Sequence, residues 1–376
     1  MKDRKLAVRS AAPDASHALT SVRFFAALYV LLFHAAPVLV PTSSIPTVVL
    51  HTISFGYVSV SFFFLLSGYI LSIAYLGANA RKLEPLNRFY IARFARVYPL
   101  YILTLFVDLP DWFVAHAKSF TGYAGAVLPA CGVLLQHLVM LQAWTPHIRG
   151  IDRPNWSLSV EAFLYLLFPF VAIRIWRLQS KSIVMLGLAL WVGGLGLVHL
   201  FAGHISLDAI MFLPAFHLST FFLGIALARW QILNQERLES SMAAFFLLLV
   251  ALVLGALFFR HAESIDRAYL NDGMLAPLFA ALILAVSINT QLPARLLSHP
   301  LLRRLGDASY ALYLFHFPIL HYFQRLHVSR TWATFAIYVI ACLATSLLSF
   351  RYFETPLRLR LASRIREPQQ LRSEPM

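Results

Sequence analysis

The chain has 376 residues, is 59% hydrophobic and only 13% charged, and carries a formal net charge of +14. A soluble domain would carry about twice that charged fraction, so a single water-soluble core is excluded and a polytopic membrane protein is expected. The positive charge does not point to nucleic acid. Its Lys and Arg cluster in short segments between apolar runs, which is the orientation signal of a membrane protein.

In chain order, the apolar runs predict an all-α fold of about ten transmembrane helices, at 20–40, 53–76, 98–116, 157–176, 183–201, 208–229, 242–259, 274–290, 308–326 and 332–352. With the N-terminus inside, the inner segments hold 24 of the 31 Lys and Arg and the outer segments 7, so both termini are expected to be cytoplasmic. Residues 1–19 read as a cytoplasmic N-terminal segment, 20–356 as the transmembrane domain and 357–376 as a basic cytoplasmic tail. Lys2, Arg4, Lys5 and Arg9 ahead of an apolar run imitate a signal peptide, but the run continues to Val40, so the span is kept. Residues 117–156 form an outer loop. Its apolar part, 124–142, holds Pro129, Gly132, Gln136 and His137 and reads as a re-entrant or surface helix. An eleventh span there would move Arg174, Arg177 and Lys181 outside. Cys131 and Cys342 both lie in apolar runs, so neither a disulfide framework nor a metal site is expected.

Four stretches hold polar groups that a hydrocarbon core does not tolerate idly. The first span carries Arg23 near its start and His34 about 16 Å further along the helix, near the middle of a core roughly 30 Å thick. An imidazole at that depth needs a partner or a wet cavity, and burial keeps it neutral, the form a base requires. Ser67, Gly68 and Ser72 in the second span are small residues suited to close helix packing, with no Gly-x-Ser-x-Gly around Ser67. Before the third span, Arg93 and Arg96 are three apart and share a helix face, as a phosphate grip would need; Arg81 and Lys82 read as plain topology signals. The fourth span opens Asn155-Trp156-Ser157-Leu158, with Trp156 as an interface anchor, Ser157 able to cap the helix and Glu161 one turn inside from the outer face. The ninth span sets Tyr310, Tyr313 and His316 on one face ahead of Pro318. Packing alternatives stand beside each: Glu161 and the histidines as helix-locking hydrogen bonds, the arginines as positive-inside charge. His217 and His321 read as lone structural residues near span ends.

Together these residues resemble acyltransferase family 3, membrane proteins that move acyl groups onto cell-envelope and secreted carbohydrates. The marks are Arg23 and His34 with ten residues between, Arg93-x-x-Arg96, Asn155-Trp156-Ser157-Leu158 with Glu161, and Ser309-Tyr310 leading to Tyr313-Leu314-x-His316-x-Pro318. The resemblance spans most of the chain, from Arg23 to about Pro356. The resemblance implies acetyl-CoA or another acyl-CoA as donor, no metal, and importance of the Arg–His motif and the paired arginines for activity. It also implies a polysaccharide or lipid-linked oligosaccharide acceptor, with small glycosides or macrolides as an alternative, and a bacterial inner-membrane location.

Physical reasoning reaches the same place. Coenzyme A is highly anionic and stays out of lipid, so Arg23, Arg93 and Arg96 are expected to hold its phosphates at the inner face. His34 is then the base for the acceptor hydroxyl, with Tyr310, Tyr313 or His316 as oxyanion donors. Glu161 is expected to orient the acceptor or set a histidine tautomer, beside Trp156 and Ser157. A transporter or flippase is the rival from another class; the chain lacks the internal repeat symmetry that would favour it.

Overall fold

The computed structural model describes residues 13–76, 85–117, 123–145, 150–238, 241–288 and 292–361. Most of the expected basic tail, the four N-terminal cations and the Arg81–Lys82 pair lie outside the described residues. Among the described residues there is no β-strand, and helix follows helix throughout. Nine stretches of them are long and apolar enough to cross a membrane: His17–Leu39, Thr47–Tyr75, Leu86–Ala117, Arg153–Trp176, Ser180–Phe201, Leu207–Leu233, Met242–Ser264, Arg267–Ile288 and Trp332–Leu361. The protein is therefore an all-α integral membrane protein. The tenth expected span, 308–326, is the helix Ser309–Arg325 of 17 residues.

The principal helices are α1 (Pro13–Leu39), α2 (Ser59–Tyr75), α3 (Leu86–Ala117), α4 (Tyr123–Leu138), α5 (Trp156–Trp176), α6 (Ser180–Phe201), α7 (Pro214–Leu233), α8 (Ser241–His261), α9 (Ala276–Ile288), α10 (Pro300–Asp307), α11 (Ser309–Arg325) and α12 (Trp332–Ser349). Helix α3 is longer than expected: 32 residues against the predicted 98–116. Arg88, Arg93 and Arg96 make its first turns read as a loop, yet nothing between Leu86 and Tyr98 breaks a helix. At about 48 Å it exceeds the hydrocarbon thickness, so its basic end projects beyond the apolar layer. Within the segment read as re-entrant, α4 has 16 residues and packs along α3. At about 24 Å it is shorter than the apolar core.

The bundle has inner and peripheral helices. In Ser180–Phe201, Met242–Ser264 and Trp332–Leu361 only 17% of the most apolar window is buried, against 72% for Thr47–Tyr75. The former are apolar all round and present most of that surface to lipid. Lipid removes the usual hydrophobic drive for helix association, so packing depends on close backbone approach. The most extensive pair, α2 on α7, shows how: Gly68 lies against the Phe221 carbonyl, and Gly224 lies against the Leu65 carbonyl. A Cβ on either glycine would strike backbone of the other helix.

At the centre, α1 packs against α2, α9, α10, α11 and α12. Its start is clamped. Gly306 of α10 abuts the Thr20 carbonyl, and the Ser21 hydroxyl donates to the Leu297 carbonyl at 2.5 Å. This fixes the turn that carries Arg23. Beyond α12 the chain winds through π-helical turns at Phe350–Glu354, which bury the Glu354 side chain.

Candidate active site

His34 of α1 and His316 of α11, 282 residues apart, meet inside the bundle with His34 Nδ1 and His316 Nε2 3.1 Å apart and the rings stacked at 27°. The surrounding acceptors fix their tautomers. His316 Nδ1 stands 2.6 Å from the Tyr313 carbonyl, which can only accept, so Nδ1 carries the proton. In the neutral ring His316 Nε2 is then a lone pair, and His34 Nδ1–H donates to it. The Val30 carbonyl is also within hydrogen-bond reach of the His34 ring; with the proton on Nδ1, His34 Nε2 keeps its lone pair. Tyr338 donates to the His316 carbonyl at 2.7 Å and locks that turn of α11. His316 is fully buried and His34 half-buried, with Phe33 and Phe317 against the His34 ring.

On one side of this pair lies a cluster of cations. Arg23 is within electrostatic reach of Arg96, Tyr165, Glu161 and Glu354. Arg93 donates to the Tyr75 hydroxyl at 3.2 Å, and its guanidinium lies 5.4 Å from the Tyr75 ring centre and 5.9 Å from that of Tyr165. Two helices thus bring together the three arginines singled out by the sequence: α1 supplies Arg23, and one face of α3 supplies Arg93 and Arg96. Glu161 accepts from Ser67 at 3.2 Å and from Tyr165, one turn further along α5. It is hydrogen-bonded to neither histidine. The Tyr313 carbonyl holds the tautomer that Glu161 was expected to set, and Glu161 stands as a counter-charge to the arginines. Glu354 is a second one that sequence reasoning missed; its carboxylate oxygens are buried without hydrogen-bond partners, facing Arg96, Arg358 and Arg23. The detectable signal was a glutamate beside the apolar end of the last span.

The remaining predicted residues are engaged locally. Tyr310 donates to the Val97 carbonyl at 2.8 Å, tying α11 to α3. Ser157 and Tyr313 hydroxyls are 2.7 Å apart, and both lie near the Pro154 carbonyl, at 3.0 and 3.1 Å. Neither tyrosine therefore has a spare proton for an oxyanion in this arrangement. Ser157 sits in the first turn of α5 and bonds backwards, while Asn155 occupies the cap position. Trp156 packs among Phe64, Phe212 and His217, away from the histidine pair.

Two residues read as lone are paired. His217 Nδ1 is 3.0 Å from Asp272, with both side chains almost fully buried, and its Nε2 is 3.0 Å from the Met211 carbonyl. His321 Nδ1 is 2.7 Å from Asp108. The partners come from distant segments, so only the fold reveals them. Among the described residues no group of three or more His, Cys, Asp or Glu is arranged to hold a metal ion.

The comparisons with known proteins follow the same lines. The sequence profile described as an acyltransferase domain, that of acyltransferase family 3, matches residues 16–351. The chain is 28% identical to acyltransferase MdmB of Streptomyces mycarofaciens, over 84% of this chain and 83% of that protein. It is 25% identical to O-acetyltransferase OatA of Staphylococcus aureus over 95% of this chain, but spans only 59% of OatA. No solved structure matches it significantly.

Proposed function

The chain belongs to acyltransferase family 3, and from that premise we propose that it is a membrane O-acyltransferase that moves an acyl group, acetyl first among them, from acyl-CoA to a hydroxyl of a cell-surface or secreted carbohydrate. The observation that carries this reading is the His34–His316 hydrogen bond, which leaves one base nitrogen free inside the bundle. The likeness to OatA, an O-acetyltransferase by name, supports acetyl as the transferred group and oxygen as the acceptor atom.

The site suits that reaction. Arg23, Arg93 and Arg96 outnumber the carboxylates Glu161 and Glu354 beside them, so the cluster keeps room for anionic charge such as the phosphates of coenzyme A. Along α1 the His34 ring is about 16 Å from Arg23, a span that an extended thioester arm bridges. The acceptor oxygen attacks the thioester carbonyl while His34 Nε2 takes the hydroxyl proton. The tetrahedral intermediate collapses, the carbon–sulfur bond breaks, and the departing thiolate recovers the proton from His34. His316 accepts from His34 Nδ1–H throughout, holding the ring in register and easing its transient positive charge, as a positioning residue rather than a second base.

The test uses membranes holding the full-length chain, radiolabelled acetyl-CoA, and polysaccharide from a bacterial host lacking the gene. Label in the polysaccharide that withstands washing and is released by mild base is the expected result. Absence of label in both polysaccharide and lipid fractions would return the chain to the transporter class. The bacterial inner membrane is the location in which a cytoplasmic donor and an envelope acceptor both reach the protein.

A further inference from the structure

The end of the bundle away from Arg23, Arg93 and Arg96 holds a concentration of buried polar atoms without well-formed hydrogen bonds. Gln142 Oε1, both carboxyl oxygens of Asp152 and both amide atoms of Asn155 are among them, and the Asn155 amide lies within reach of the Asp152 carboxyl. All three side chains are over nine-tenths buried: Gln142 is 8% exposed, Asp152 2% and Asn155 0%. Folded proteins pair such groups almost without exception, so each orphan calls for an explanation.

These orphans are held in place rather than collapsed. Asp108 is fully buried; one of its oxygens accepts the Asp152 N–H at 2.8 Å and the other meets His321 at 2.7 Å. Asp152 adopts a left-handed backbone conformation, φ 49°, which an aspartate bears better than most residues but not freely. The Gln142 amide donates to the Asn155 carbonyl at 2.8 Å and to the Tyr101 hydroxyl at 3.2 Å. Pro154, between Asp152 and Asn155, gives its carbonyl to Ser157 and Tyr313, the residue whose own carbonyl fixes His316. The turn is thus bolted to the histidine pair by two hydroxyls, and Arg153 on the same turn is within electrostatic reach of His34. Two amides and a carboxyl, each able to accept and most able to donate, are the groups that bind ring hydroxyls. Burial, and then the Asp108 carboxylate, push the Asp152 carboxyl well above the usual carboxylate range, so it donates as well as accepts.

We propose that Gln142, Asp152 and Asn155 form the acceptor subsite, binding hydroxyls of a polyhydroxylated ring while a neighbouring hydroxyl of that ring meets His34. This rests on the acyl-transfer reading. It adds which residues choose the acceptor, and it predicts an acceptor with at least one further hydroxyl close to the acylated one.

The discriminating variant is Asn155→Leu, which keeps the side-chain size and removes the orphaned amide. A residue held for structure would destabilise the protein when lost; an orphan kept for a ligand would not. The full-length chain in lipid nanodiscs is assayed with labelled acetyl-CoA and the polysaccharide of the gene-deleted host. The expected result is an unfolding temperature equal to or above that of the parent, unchanged acetyl-CoA binding, and an acceptor KM raised at least about tenfold, the worth of one lost buried hydrogen bond. Asp152→Asn should raise the same KM with the same unchanged donor binding. An unchanged acceptor KM in both variants, or a lowered unfolding temperature with donor binding lost alongside, overturns the subsite. If the parent chain itself transfers no label, the acyl-transfer reading fails and the subsite goes with it; transfer by the parent with KM unmoved in the variants sinks the subsite alone.

Discussion

At the scale of single residues, the site depends on which nitrogen holds a proton. His34→Ala should keep fold and acyl-CoA binding but lose transfer by about 10²–10⁴-fold, the usual size of a missing general base. A quantitative transfer assay beside a donor-binding assay checks this, and trapping of label on His34 would instead make it a nucleophile. His316→Gln should lose less than His316→Ala, because the Gln side-chain oxygen can still accept from His34 Nδ1–H. Equal losses would mean that His316 does more than orient. Arg93 is flanked by Tyr75 and Tyr165, so Arg93→Lys keeps its charge but forfeits the planar fork and its stacking. It should weaken acyl-CoA binding, read by titration of the purified protein, while Arg88→Lys should not. Both histidines and all three arginines were legible as residues out of place in an apolar chain. Their mutual geometry was not: 282 residues separate the two histidines, and nothing local in the sequence says that α1 and α11 are neighbours. Glu161 shows the same limit. Its depth along α5 was readable, but its partners Ser67 and Tyr165 decide its role, and Ser67 belongs to another helix.

Among elements, the decisive contact is the mutual approach of α2 and α7. Gly224→Val puts a branched side chain against the Leu65 carbonyl, and that backbone has no rotamer with which to yield. The expected loss is at least about 1–3 kcal/mol, seen as a lower unfolding temperature in detergent. Gly193→Val on α6 is the control, because nothing stands within 4 Å of the space it would fill. A matching loss there would mean that any bulky residue in these helices is harmful. The small residues of α2 announced close packing in the sequence, since Gly68 and Ser72 sit a turn apart, but the partner glycine on α7 could not be named without the fold. The beginning of α3 was misread for a physical reason. Charge density suggests a loop, whereas helix formation needs only backbone hydrogen bonds and the absence of breakers, and Arg is a good helix former.

For the molecule as a whole, the apolar runs foretold nearly every span, because lipid demands long helices and leaves few alternatives. The basic asymmetry further predicts that residue 88 and both termini face the cytoplasm. A cysteine placed at 88 in a cysteine-free chain should resist an impermeant thiol reagent in intact cells and react after lysis; labelling before lysis would invert the orientation. One feature of the bundle sets the distances involved. Helix α11 is 17 residues long, roughly 26 Å, against a hydrocarbon layer of roughly 30 Å. Its first eight residues, Ser309–His316, are buried throughout, while Tyr322 and Leu326 at the far end are exposed. Around the buried stretch, hydrophobic mismatch is met by the protein rather than by the surrounding lipid. On the proposed reading, the depth at which the acyl group changes hands is therefore set by packing around α11, and the thickness of the host membrane should matter little to the rate.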